Sequence, residues 1–210
     1  MLGDTGRVYL AELKNGERLE ELLRQSPGFA TLQKRENVLW IADGSPYNWN
    51  VQKRLCPKAQ GLLDFYHVME HAATCAKTVL DEDAGCVNLF RARVAHLLLT
   101  GPIEALFDEL KECTPYRPKN KRARRDAQAL ENFLGYLQSH RERLRYREFK
   151  ARGWPIGSGA IESAHKPVIQ TRMKQAGMRW SVDGAQHMAT LRALYASVGP
   201  ERFPAFINAA

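Results

Sequence analysis

Two short apolar runs, each with an aspartate at or near its C-terminal end, constrain the fold of this chain more than any other feature. Val38 to Ala42 (V-L-W-I-A) is continuously apolar and stops at Asp43-Gly44, a pattern typical of a strand that is buried on both faces. Gly61 to Phe65 is a second short apolar run, and it contains Asp64. Because helical segments alternate with these two strands, the sequence predicts an α/β sheet core.

Periodicity and turn residues predict the elements on either side of these strands. Arg7 to Leu13 (R-V-Y-L-A-E-L) alternates as a strand does, and Glu17 to Gln25 is predicted to be a short amphipathic helix. Gly153 to Gly159 (G-W-P-I-G-S-G) is predicted to be a loop. The predicted helices that follow the second strand cover residues 66–80, 86–99, 103–113, 122–150, 160–175 and 182–197.

This order of elements predicts three parts. Residues 1–69 would form the first part of the α/β core, and residues 70–152 a mostly helical insertion. Residues 153–210 would return to the core as C-terminal helices.

The charge of the chain favours a polyanionic partner. The formal net charge is +8 over 210 residues, which favours nucleic acid first and an anionic membrane surface second. A merely basic protein without such a partner is the equal alternative. The helix predicted at 122–150 carries basic residues at both ends. These residues belong either to a solvated helix face or to a face that contacts phosphates.

Cysteine usage and hydropathy indicate a cytoplasmic protein. The four cysteines form no C-x-x-C pair, and four in a chain of this length do not make a disulfide framework. No apolar run approaches the roughly 20 residues that span a bilayer. The N-terminal residues lack the plan of a signal peptide, and we expect the reading frame to begin inside a domain.

Two aspartates are candidates for chemistry because of where they follow the predicted strands. Ligands bind at the carboxyl ends of strands in α/β sheets, so Asp43 and Asp64 are expected at one functional edge. His67 follows Asp64 in the first turn of a helix. The alternatives are an Asp-Gly turn acid at Asp43 and a helix N-cap at Asp64, with His67 packed in the interface.

Glu162 is the third candidate carboxylate. It lies in G-S-G-A-I-E-S, in the first turn of a predicted helix, where the helix dipole favours an acid whether or not it is functional. A carboxylate followed by cations suits an enzyme that acts on a phosphate backbone. The candidate DNA-binding residues after it are Lys166, Arg172, Lys174, Arg179 and Trp180.

The stretch H-V-M-E-H also permits a zinc interpretation. His67, Glu70 and His71 share one helix face, as the H-x-x-E-H motif of some metallopeptidases requires. The motif is short, and a further ligand would be needed.

Three segments together resemble a known family. They are W-I-A-D-G-S-P-Y-N-W-N (40–50), L-L-D-F-Y-H-V-M-E-H (62–71) and the stretch from G-W-P-I-G-S-G-A-I-E-S to G-M-R-W-S (153–181). In this order, with a helical insert between the second and third, they resemble bacterial insertion-sequence transposases of the ISKra type. These belong to the Mutator-like group of DDE transposases, which have an RNase H-like core. The resemblance covers about residues 5 to 198.

The resemblance implies a two-metal site for phosphoryl transfer. Enzymes of this family hold two Mg²⁺ ions with two aspartates and a glutamate, and they act on transposon-end DNA as oligomers. By motif match, Asp43 is the second aspartate and Glu162 the glutamate, and both would bind metal. Asp64 and His67 match an auxiliary D-x-x-H pair.

One departure from the family pattern bears on activity. The family's first aspartate and its strand have no match in this chain, which therefore resembles an N-terminally truncated transposase. We expect weak or no catalysis by the chain alone. The alternative functions are a basic DNA-binding remnant without catalysis and the zinc peptidase.

Overall fold

The fold is mostly helical with one small parallel sheet. The computed structural model describes residues 7–13, 16–81, 83–114 and 120–208, with the backbone alone at residues 160, 162, 167 and 206–208. Within these ranges the strands and helices confirm the prediction of an α/β fold at this level of detail. No helix in the described ranges is long and apolar enough to cross a membrane.

The elements of the first half of the chain are α1 (Gly16–Gln25), α2 (Phe29–Leu32), β1 (Leu39–Ala42), α3 (Pro46–Leu55), β2 (Gln60–Leu63), α4 (Phe65–Val79) and α5 (Ala84–Thr100). Those of the second half are α6 (Ile103–Cys113), α7 (Lys121–Ser139), a 3₁₀ turn (Arg141–Arg143), α8 (Tyr146–Ala151), α9 (Gly159–His165), a π-helical turn (Lys166–Gln170), α10 (Thr171–Met173), α11 (Val182–Val198) and α12 (Phe203–Asn208).

The chain divides into two compact units. The first, which we call the sheet unit, consists of Leu39–Asn50 and Gln60–Ser158. The second, the terminal unit, consists of the described parts of Met1–Val38, Val51–Ala59 and Gly159–Ala210. The division predicted at residues 69 and 152 stays a prediction.

The two strands form a parallel pair in the sheet unit. Their register runs from Leu39 opposite Gln60 to Ala42 opposite Leu63. In β2, Leu62 and Leu63 are fully buried, whereas all four residues of β1 are only half-buried. The prediction that β1 is buried on both faces is therefore wrong. Within the described residues β1 is also an edge strand, since it pairs with a strand on one side only.

Helices α4 to α8 build the core of the sheet unit around β2. Helix α4 packs on α5 and α7, and α5 packs on α6 and α8. Apolar side chains of these helices and of β2 form one cluster, whose fully buried members are Leu62, Leu63, Val68, Ala72, Leu137, Tyr146 and Phe149. Burial of large side chains such as these is the main stabilising contribution, at roughly 1.5–3 kcal/mol for each Leu or Phe.

The strand predicted at Arg7 to Leu13 does not form in residues 7–13. The amide of Tyr9 instead donates to Ser197 Oγ at 2.8 Å, and that of Leu13 donates to Gln186 Oε1 at 2.8 Å. Gln186 Nε2 also donates to the carbonyl of Ala11 at 2.9 Å. Alternation predicts which side chains would share a face of a strand, but it does not determine the partner of the backbone groups. Here side chains of α11 satisfy those groups in place of a second strand.

Two predicted helices are interrupted. The helix predicted over 122–150 breaks at His140, and the chain resumes as α8 so that Tyr146 and Phe149 enter the core with no exposed surface. The helix predicted over 160–175 contains a π-helical turn that includes Pro167. Because proline lacks an N–H, it breaks the regular pattern of α-helical hydrogen bonds.

The sequence prediction missed α3. Its signal is Ser45-Pro46, since proline is favoured at the first position of a helix. The N-terminal half of α3 carries Trp49, which is buried in the core of the sheet unit.

Candidate functional site

The carboxyl ends of β1 and β2 bring two aspartates to one edge of the sheet. Ala42 and Leu63 are register partners, so Asp43 and Asp64 follow the two strands side by side. The amide of Asp64 donates to the carbonyl of Ala42 at 2.8 Å. This confirms the predicted common edge, but the two carboxylates have different environments.

Asp43 is exposed and has one restrained carboxylate oxygen. Its Oδ1 accepts from the amide of Ser45 at 2.9 Å and from Nδ2 of Asn48 at 2.8 Å. Within the described residues its Oδ2 accepts no hydrogen bond and joins no ion pair. The side chain is therefore held in one orientation with an oxygen available to a ligand.

Asp64 is buried and both of its carboxylate oxygens are in use. Oδ1 accepts from the amides of Tyr66 at 2.8 Å and His67 at 3.4 Å, which makes Asp64 the N-cap of α4. Oδ2 accepts from the amide of Ser158 at 2.9 Å. Asp64 thus fixes the start of α4 to the loop before residue 159, a structural task that the sequence left open as an alternative.

Five aromatic and imidazole rings lie beside this edge. The ring cluster, as we call it, consists of the side chains of Trp49, His67, His71, Tyr136 and His140. His71 stacks on Tyr136 with centroids 4.0 Å apart, and His67 meets His71 edge-on at 4.9 Å. His140 meets Tyr136 at 5.0 Å and Trp49 at 6.1 Å. Sequence reasoning missed Tyr136 and His140, whose only signal is their four-residue spacing on a helix.

Tyr136 packs directly under the turn that carries Asp43. A Cβ atom added to Gly44 would lie 2.6 Å from Cε2 of Tyr136 and 3.2 Å from Nε2 of His140. The Tyr136 hydroxyl is buried and has no hydrogen-bond partner among the described residues. Burial, followed by the charges of Asp43 and Asp64, raises the pKa of Tyr136. Tyr136 is therefore a neutral phenol with an unused proton beside the Asp43 turn.

Two histidines of the ring cluster have lowered pKa values, which favours their neutral form. Burial lowers the pKa of His71, and the charge of His67 lowers it further against an opposing contribution from Glu70. Burial also lowers the pKa of His140, together with the charges of Arg143 and His71. Charging either imidazole on acidification therefore costs free energy in the folded state.

Acidification is expected to destabilise the chain through these two histidines. Their folded-state pKa values lie below the unfolded value of about 6.5, so the stability they contribute is present above that pH and is lost as pH falls toward the folded-state values. We expect the free energy of unfolding, measured with urea, to fall between pH 7.5 and pH 5.5. The double variant His71→Gln/His140→Gln should show a smaller fall.

His96→Gln is the matched control for this prediction, because His96 lies exposed on α5 outside the ring cluster. It should keep the pH dependence of the parent chain. A double variant with the same pH dependence as the parent would contradict the assignment.

Asp43 is better suited than Asp64 to act as a metal ligand. A carboxylate with one restrained and one available oxygen suits Mg²⁺, which prefers oxygen ligands. Asp64 has no such oxygen. Glu162 lies in the first turn of α9, in the terminal unit, and its side chain is outside the described residues. Where side chains are described, no group of three or more His, Cys, Asp or Glu is placed to hold a metal ion.

Among the residues whose side chains are described, the zinc interpretation of H-V-M-E-H gains no further ligand. His67 Nδ1 lies 3.4 Å from a carboxylate oxygen of Glu70, and the ring of His71 is stacked on Tyr136. These contacts give His71 a packing role.

The predicted DNA-binding residues are exposed in the terminal unit. They are Lys166, Arg172, Lys174, Arg179 and Trp180, the last with 38% of its surface exposed. None of the four cations among them forms an ion pair with a described residue. In the sheet unit, by contrast, Arg122 and Arg125 both pair with Asp81. The basic start of α7 is thus partly neutralised by the protein itself.

Comparison with family models, curated proteins and solved structures found no match for this chain. The resemblance to ISKra-type transposases is an inference from the three segments at 40–50, 62–71 and 153–181. The RNase H-like core and the roles of Asp43 and Glu162 stay predictions.

Proposed function

We propose that this chain is part of the catalytic domain of a DDE transposase of the ISKra type and acts on DNA. The observation that carries the proposal is the position and hydrogen bonding of Asp43. Its carboxylate follows a parallel strand, is oriented through Oδ1 by Ser45 and Asn48, and keeps Oδ2 for a ligand. A strand-end carboxylate that is held in one orientation and keeps one oxygen available is suited to bind a metal ion, which supports the proposal.

The proposed metal ligands are Asp43 and Glu162, and the proposed cofactor is Mg²⁺. In an intact site of this class, two such ions would activate the attacking oxygen and stabilise the leaving oxygen of a phosphodiester. The role of the surrounding residues is to hold Asp43 in place. Ser45 and Asn48 do so by hydrogen bonds, and Tyr136 does so by packing under Gly44.

Asp64 and His67 have an auxiliary place in this proposal. Asp64 uses its whole carboxylate to join α4 to the loop at Ser158, the last residue of the sheet unit before α9 begins. His67 starts the row of rings that leads to Tyr136. Both residues support the edge at which Asp43 lies.

The unpaired cations of the terminal unit supply the proposed DNA contact. A cation without an internal partner gains more from a phosphate than one already paired, because it has no ion pair to break. The partners proposed are transposon-end DNA and, in the intact assembly, further copies of the transposase.

DNA binding is expected to depend on two of these cations. For a 30-base-pair duplex, the double variant Lys174→Gln/Arg179→Gln should lose about tenfold in affinity. The slope of log affinity against log salt concentration should become shallower by the amount that corresponds to about two phosphate contacts. The measurement is fluorescence anisotropy at several salt concentrations.

The matched control is Lys34→Gln/Arg35→Gln. These two exposed cations also lie in the terminal unit, form no ion pair with described residues and carry the same charge. Equal losses from both double variants would indicate a general charge effect and would count against the predicted surface.

A strand-cleavage assay separates the enzyme from its alternative, a non-catalytic DNA-binding protein. We expect little or no nicking of plasmid DNA by the chain alone with Mg²⁺ or Mn²⁺, since the family's first aspartate has no match here. A supplied polypeptide with that aspartate and its strand should permit nicking, which Asp43→Asn and Glu162→Gln should each abolish. Nicking that survives Glu162→Gln would refute the site. DNA binding without nicking in any combination would favour the non-catalytic alternative.

A further inference from the structure

A cavity of about 340 Å³ lies within the terminal unit. Three segments of the chain form its wall: the residues before α1, the region of α9 with the π-helical turn, and α11. Its polar and apolar lining includes Arg7, Tyr9, Ser163, Val168, Arg192 and Tyr195.

The first of these segments is held in place by α11. The amide of Tyr9 donates to Ser197 Oγ at 2.8 Å, and Gln186 binds the carbonyl of Ala11 and the amide of Leu13. These bonds fix the backbone next to Arg7. The backbone that carries Arg7 is thus preorganised, which lowers the entropic cost of ordering this segment when a ligand binds.

The lining suits an oxyanion. Arg7 and Arg192 contribute guanidinium groups, and Ser163 contributes a hydroxyl. The cavity lining, as far as it is described, contains no carboxylate. Arg7 is exposed and forms no ion pair with a described residue. Guanidinium groups with neutral donors around them are the usual partners of phosphate oxygens.

The apolar part of the lining suits the sugar and base that accompany a phosphate. Val168, which is 6% exposed, contributes apolar surface to the lining. The ring of Tyr195 is 41% exposed and meets Phe203 edge-on at 5.1 Å, so packing holds the ring while leaving surface for stacking. A free phosphate ion would use only the polar part of such a cavity.

We propose that this cavity binds a phosphodiester of a DNA strand, with Arg7 and Arg192 as its phosphate ligands. The inference rests on the proposed function and names a contact for that same substrate. Ser163 directly follows Glu162 in α9. A strand held by Ser163 and the two arginines would therefore pass one residue from the proposed catalytic glutamate.

The test uses the full chain, the 30-base-pair duplex and the single variant Arg7→Gln. We expect about a tenfold loss of affinity and a salt slope reduced by about one phosphate contact. Arg35→Gln, which removes one exposed cation from the same unit, is the matched control and should change affinity little. With a duplex whose phosphates are replaced by neutral methylphosphonates on one strand at a time, the effect of Arg7→Gln should disappear for one of the strands.

Arg192→Gln is the second variant, and its melting temperature is measured first because Arg192 lies in α11. If this variant melts with the parent, it should weaken DNA binding as Arg7→Gln does. If Arg192→Gln instead melts at a lower temperature than the parent, Tyr195→Leu replaces it as the second variant of this cavity, and a smaller loss of DNA affinity is expected.

Three results would overturn the cavity proposal. If Arg7→Gln leaves DNA affinity unchanged while Lys174→Gln/Arg179→Gln lowers it, the cavity assignment fails and the proposed function stands. If Arg7→Gln weakens binding of inorganic phosphate but not of DNA, the cavity is an anion site unrelated to the strand. If the parent chain binds no DNA, both proposals fail.

Discussion

Asp64→Ala is expected to lower the free energy of unfolding by about 2–4 kcal/mol. The loss of the N-cap bonds to Tyr66 and His67 costs roughly 1 kcal/mol, and the part-buried amide of Ser158, left without its acceptor, adds about 1–3 kcal/mol. Asp64 is 5% exposed and accepts from three amides, those of Tyr66, His67 and Ser158. The shortened side chain would leave α4 uncapped and the loop at Ser158 without its anchor. Urea unfolding at pH 7.5 measures the effect.

Two further substitutions give this prediction its controls. Asp64→Asn keeps an acceptor for the start of α4 but places an amide group toward the amide of Ser158, so an intermediate loss is expected. Asp83 caps α5 by accepting from Cys86 at 2.7 Å, yet it is exposed. Asp83→Ala should therefore cost clearly less than Asp64→Ala, because water replaces the lost acceptor. Equal losses at the two caps would mean that Asp64 does not anchor the loop.

Gly44→Ala is expected to cost about 1–3 kcal/mol, the usual range for overpacking a core position. The new methyl group would lie 2.6 Å from Cε2 and 3.0 Å from the hydroxyl of Tyr136, and 3.2 Å from Nε2 of His140. Neither ring can withdraw easily, since Tyr136 stacks on His71 and His140 packs on Trp49. The Asp43 turn would have to move away from the ring cluster instead.

Gly135→Ala is the matched control, one residue before Tyr136 in α7. Nothing lies within 4 Å of its added Cβ, and alanine is favoured over glycine within helices by roughly 0.5–1 kcal/mol. This variant should be as stable as the parent or more so. A double variant Gly44→Ala/Tyr136→Leu should recover part of the loss, as coupled neighbours do. Additive losses would show that Tyr136 does not oppose the methyl group.

The sequence predicted those parts of the fold that local patterns determine. The apolar run before Asp43 and the run at Gly61 to Phe65 correspond to β1 and β2, and the predicted helices at 86–99 and 103–113 correspond to α5 and α6. Turn residues such as Gly101-Pro102 mark where those helices end or begin. Because the carboxyl ends of parallel strands lie at the same edge of a sheet, the common location of Asp43 and Asp64 followed from the same patterns.

The remaining features depend on contacts between distant residues. Tyr136 reaches the Asp43 turn across more than 90 residues of sequence, and nothing local to α7 indicates this. The break at His140 is likewise set by the burial of Tyr146 and Phe149 in the core. Residues 7–13 have the alternation of a strand, but side chains of α11 satisfy their backbone groups. Alternation predicts which side chains would share a face of a strand, and it cannot predict which partner the backbone groups find.

The proposed function requires that Asp43 and Glu162 bind a catalytic metal, and Mn²⁺ titration followed by NMR tests this proposal most directly. Paramagnetic Mn²⁺ broadens the amide signals of residues near its site. We predict selective broadening at residues 43–45 and around residue 162 at millimolar Mn²⁺, lost at both places in Asp43→Asn while the fold is retained. Broadening around residue 162 that persists in Asp43→Asn, or no broadening at residues 43–45 in the parent chain, would contradict the claim.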